Sequence, residues 1–170
     1  MSLFIQNALA ESREEKVLKT KYCTVLYPLK MELKTMSRKI SDGFIYDIEY
    51  KRVSKTLPPE IRLSSKLDML FERVEEILDM YPMGIHVKVK VYSFRREVMR
   101  VYEDIFKKRE NVRAFYVYKY NTIYTSLQDI SESVLAHEMA HCVIDHYFVI
   151  LPPRKVQEIL AMYVDVHLRE

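Results

Sequence analysis

The sequence predicts an α+β domain, a small mixed or antiparallel sheet packed on helices. Three observations carry that expectation. His86-Val87-Lys88-Val89-Lys90-Val91-Tyr92 alternates apolar and polar residues, the period of a half-buried strand. Leu67, Leu70, Val74, Ile77 and Leu78 recur at the spacing of one helix face. Strand-like and helix-like stretches follow one another along the chain, with no internal repeat or low-complexity tract.

In order, residues 1–20 are polar and charged and read as a lead-in, frayed or briefly helical. Tyr22-Cys23-Thr24-Val25-Leu26-Tyr27 is rich in β-formers and ends at Pro28, as a strand would. Leu29, Leu33, Met36 and Ile40 have helical spacing, and Ser41-Asp42-Gly43 supplies a stop. Phe44 to Tyr50 fits a strand or a continuing helix equally well. Thr56-Leu57-Pro58-Pro59 connects to a helix capped at Ser64 or Ser65 and running to about Tyr81. After the 86–92 strand, Val98, Val101, Tyr102 and Ile105 mark a helix over about 93–108. Ala114–Tyr118 and Thr122–Thr125 form a hairpin. Asp129-Ile130-Ser131-Glu132 has capping-box spacing and opens the next helix. Leu151-Pro152-Pro153 stops that helix, and Pro153 suits the first turn of a closing helix from Arg154 to Leu168.

A chain of 170 residues suffices for one domain, here expected over 21–170. A net charge of +3, with no dense Lys/Arg block, gives no footing for nucleic-acid binding. Gly43 and Gly84 are the only glycines, which removes Gly-rich phosphate loops. Cys23 and Cys142 make no disulfide framework, and Cys142 reads as a buried thiol. No apolar run approaches the ~20 residues of a transmembrane helix. Met1-Ser2-Leu3 resembles an expression start and Ala8-Leu9-Ala10 the end of a signal peptide, so cytoplasmic and exported locations stand equally open.

The chemistry concentrates at His137-Glu138-Met139-Ala140-His141, an H-E-x-x-H pattern in a helix-periodic run. At about 100° per residue the two imidazoles stand one above the other on one face, about 40° apart. They can grip one metal ion, with Glu138 beside them to take a proton from water activated there. A catalytic zinc usually takes a third protein ligand. His146 lies about 180° round the helix and fails. The longer pattern with a third histidine is absent, since Ile144 and Tyr147 occupy its Gly and His positions. Asp145 reads as a solvated carboxylate, or one supporting a ligand, rather than a ligand. Glu158 lies on the next helix, which the Pro pair turns back. A lone helical Glu ordinarily faces solvent. Val156, Ile159 and Leu160 around it, and Ala161 for close packing, argue for an inward stretch that makes Glu158 the third ligand.

These residues, Val134-Leu135-Ala136-His137-Glu138-Met139-Ala140-His141, then Leu151-Pro152, then Glu158-Ile159-Leu160-Ala161-Met162-Tyr163, resemble the gluzincin metallopeptidases. The likeness is greatest to the compact bacterial peptidase MA-like group, and covers about residues 114–168. It implies a zincin-like fold with Zn2+ on His137, His141 and Glu158, Glu138 as general base, and a peptide or protein substrate. It also implies that the strand before the active-site helix is an edge that pairs with extended substrate. Phe115, Tyr116 and Val117 are the candidate substrate-binding residues, although an ordinary half-buried strand explains them as well. Three departures stand out. Ile159 replaces the family's Gly, its Trp before the Glu is absent, and Asp165 is not at the thermolysin-like offset of an Asp that orients a ligand His. Tyr163, Tyr147, His146 and His167 are near enough in sequence to donate to an oxyanion, but each is as readily packing or surface. The rival function is a zinc-containing domain that binds a peptide or partner with little or no turnover; a metal-free domain with a chance motif ranks below both.

Overall fold

A computed structural model describes residues 15–170, so Ala8-Leu9-Ala10 and most of the lead-in lie outside the described residues. The strands are β1 (Glu15–Lys19), β2 (Cys23–Pro28), β3 (Val87–Tyr92), β4 (Ala114–Val117) and β5 (Thr122–Ser126). They form one mixed sheet in the order β1-β2-β3-β5-β4. β2, β3 and β5 are parallel, and each edge strand runs antiparallel to its neighbour. The helices are α1 (Leu33–Lys39), α2 (Ile48–Ser54), α3 (Pro59–Leu78), α4 (Arg95–Phe106), α5 (Glu132–Tyr147) and α6 (Arg154–His167). The fold is α+β, as expected. Among the described residues no helix is long and apolar enough to cross a membrane.

The period-two pattern of β3 decides which face carries the core. Val87, Val89 and Val91 are buried with Val25, Ile123 and the inner faces of α1, α3, α5 and α6. Lys88 and Lys90 point the other way. On that second face a smaller cluster forms from Val98 and Tyr102 of α4 with Phe115 and Val117 of β4. α5 is buried along most of its length, with Leu135, Ala136, Met139, Ala140 and Val143 all inaccessible. α6 packs against it through Ala161 and Val164, small and β-branched residues that bring the two axes close.

Several boundaries differ from the sequence expectation, each for a local reason. Glu15–Lys19 is an edge strand rather than frayed or helical, because its backbone pairs with β2 from Glu15 opposite Pro28 to Lys19 opposite Thr24. Its charged residues suit an edge. α1 starts at Leu33, four residues late, since the chain first turns with Met31 N–H donating to the Pro28 carbonyl at 2.9 Å. The ambiguous 44–50 stretch resolves into buried Phe44 and Ile45, then α2, whose cap Asp47 accepts from the Tyr50 N–H at 2.9 Å. α3 starts at Pro59, where proline fits the first helical position, so neither Ser64 nor Ser65 caps it. Asp129 does not cap α5. Ser131 does, accepting from Val134 N–H at 3.2 Å, while Asp129 pairs with Arg95 at the start of α4. The strand directly before α5 is β5, which lies between β3 and β4, so the free edge is β4.

Candidate metal centre

His137 and His141 occupy successive turns of α5, with ring centroids 5.1 Å apart. Pro152-Pro153 redirects the chain so that α6 runs back beside α5. This brings Glu158 Oε2 to 3.7 Å from His137 Nε2 and 3.6 Å from His141 Nε2. One ligand atom from each of the three side chains lies within 4.8 Å of the other two. Tetrahedral zinc with bonds of about 2.0–2.1 Å needs donors about 3.4 Å apart, so the two carboxylate–imidazole separations nearly match and the set as a whole, within 4.8 Å, fits with some contraction. The chemistry of the donors fits as well, two imidazoles and a carboxylate. Glu158 lies in this set, although its neighbours Val156 and Ile159 are exposed. Of the apolar residues from Val156 to Ala161, Ala161 alone is fully buried. The inward-facing stretch is therefore narrower than the apolar residues around Glu158 imply.

Asp165 corrects the sequence reading. Its Oδ2 lies 2.8 Å from His137 Nδ1, so that nitrogen carries the proton and donates, and Nε2 is left to face the cluster. The signal was present in the spacing. Asp165 follows Glu158 by seven residues, about 20° from it round the helix, and the same face that presents one carboxylate presents the other. The hydrogen bond to Asp165 raises the His137 pKa above its ordinary value against the effect of burial, whereas burial lowers that of His141.

Glu138 is buried beneath the cluster, and that burial pushes its carboxyl up to about 7, with His137 and the Tyr116 main-chain N–H pulling the other way. The cluster opens into a cleft of about 610 Å³ that runs along β4. Phe115, Tyr116 and Val117 all line it. They face opposite ways, because Phe115 and Val117 pack under α4 while Tyr116 lies on the α5 side of the sheet. A second hollow of about 560 Å³ continues past His137 along Asn111, Arg113 and Ser133. Asp145 is half-buried in the cleft wall, and burial raises its pKa. Tyr147, His146, Tyr163 and His167 do not line the cleft, whereas several residues that no sequence argument offered for the site do, Lys119, Arg154 and Gln157 among them. Cys142 is a buried thiol whose pKa is pushed up to about 12 by burial.

No family model matches this chain, and neither does any curated protein or solved structure.

Proposed function

We propose that this chain is a zinc-dependent peptide-bond hydrolase of zincin-like fold, in which His137, His141 and Glu158 hold the metal and Glu138 is the general base. The observation that carries the reading is the convergence of those three donors from two helices, with Glu138 beside them and an open cleft in front. Zinc held there would supply a Lewis acid that polarises a carbonyl and renders water acidic near neutrality. The Glu138 carboxylate takes the proton from attacking water and passes it to the departing amine. Asp165 holds the His137 ring in place through Nδ1. The free edge of β4 offers main-chain groups to an extended peptide, which places the scissile carbonyl beside α5.

The test compares the zinc-loaded chain with Glu138→Gln on unfolded casein. The expected result is hydrolysis that is about 10²–10⁴-fold slower in the variant, with equal zinc content. Equal rates in both proteins would sink the reading. Stoichiometric zinc with no turnover in either would favour the binding domain instead.

A further inference from the structure

The loop between α5 and α6 is apolar throughout, Phe148-Val149-Ile150-Leu151-Pro152-Pro153. Val149 is fully exposed and Ile150 is 85% exposed, with Tyr147 and Leu151 about half exposed on either side. Such residues cluster on a surface where something covers them. Leu151 also lines the mouth of the cleft, together with Phe106, Tyr118, Lys119 and Arg154. Three separate loops therefore end at one rim. The loop after α4 brings Lys107, Lys108 and Arg109, the turn after β4 brings Lys119, and the start of α6 brings Arg154 and Lys155. Arg109 is paired with Glu103 and Arg154 with Glu158. Lys107, Lys108, Lys119 and Lys155 have no ion pair among the described residues. Of the acidic groups lining the cleft, Glu110 accepts from the Tyr102 hydroxyl at 3.2 Å, Asp145 is half-buried in the wall and Glu158 faces Arg154. Tyr118, Tyr120 and Tyr147 stand exposed around the tip.

We infer that this rim docks on an anionic bilayer: Val149 and Ile150 enter the boundary between headgroups and acyl chains, and the four unpaired lysines meet lipid phosphates. The charge favours an anionic lipid surface over a protein partner. A protein would need an apolar patch ringed by carboxylates to meet Val149, Ile150 and the lysines together, whereas an anionic bilayer offers both chemistries everywhere. Tyrosine rings suit the headgroup level, apolar inside and polar outside. Two small apolar side chains are too weak an anchor alone, and the cations supply the second attraction that stable attachment needs. The docking stands on this surface and is independent of the hydrolase reading. Its consequence for substrate, that the cleft would meet peptide segments held at a membrane, does rest on that reading.

The test is cosedimentation of the full chain with vesicles of phosphatidylcholine alone, or of equal parts phosphatidylcholine and phosphatidylglycerol. Binding is expected to the mixed vesicles and to weaken at high salt. The double variant Val149→Asp, Ile150→Asp should lower partitioning about tenfold or more with unchanged thermal unfolding. Lys108→Glu with Lys119→Glu should remove the preference for anionic lipid. Absence of binding to the mixed vesicles, or equal binding by the aspartate variant, would overturn the proposal. So would a dimer in sedimentation that the two aspartates abolish while vesicles bind nothing, which would make the tip a contact between copies.

Discussion

Asp165 fixes what the His137 imidazole cannot fix for itself. An imidazole that turns freely gives up orientation each time it binds an ion, and the 2.8 Å hydrogen bond removes that freedom from His137. Asp165→Ala is expected to weaken zinc binding about 10–100-fold in a chelator competition titration, and an unchanged affinity would mean that the hydrogen bond does not act on the site. His137, Glu138 and His141 were legible in the sequence because helix geometry alone relates them. Glu158 was legible through the Pro pair that turns α6 back and through Ala161, whereas the apolar Val156 and Ile159 beside it turned out to face solvent. Asp165 is harder to read, because its relation to His137 rests on the seven-residue spacing from Glu158 and on how α6 packs against α5, not on a motif. The sides to which Phe115 and Tyr116 point follow from the pairing with β5, which no local pattern reveals.

The α5–α6 contact is the element on which the site's geometry depends. Ala161 is fully buried between the two helices, three residues beyond Glu158. Ala161→Leu should push α6 away, with a loss of about 1–3 kcal/mol of stability and a parallel fall in zinc affinity. Ile159→Ala, on the exposed face, should change neither. Thermal unfolding and metal titration of both variants check this. A second element-scale device joins α4 to the approach of α5. Arg95 Nε donates to Asp129 Oδ2 at 2.9 Å, and Ser126 Oγ donates to the same oxygen at 2.8 Å. Hydrogen bonding to Arg95 holds the Asp129 carboxyl below its ordinary range. A carboxylate whose folded pKa is depressed contributes stability above its unfolded value, about 3.9, and loses it as pH falls through the lower folded value. Asp129→Asn should therefore cost about 1 kcal/mol at neutral pH, since Arg95 is partly exposed, and the difference should shrink below about pH 4. Unfolding curves across that range measure it. A constant difference would refute the linkage. The exchange of Asp129 for Ser131 as the cap could not be foreseen, because Asp129 has the spacing of a cap and is drawn off it by an arginine 34 residues away.

Over the whole molecule, a mixed sheet carries two helices on which three donors converge. The α+β class was legible from alternating periods. The parallel pairing of β2, β3 and β5 was not, since it joins segments distant in the chain, and β1 is a strand only because β2 is beside it. Because the donors come from two elements, a metal held by all three would tie α6 to α5 and so couple to global stability. At a free zinc concentration a hundredfold above Kd the folded state should gain about 2.7 kcal/mol, seen as a rise in Tm that chelator reverses. The most direct test of the three-donor centre is zinc stoichiometry after dialysis, measured on the chain and on Glu158→Ala. One zinc per chain and substantial loss from the variant are expected if the three donors hold the metal together. Equal zinc in both, or none in the unaltered chain after loading, would contradict that.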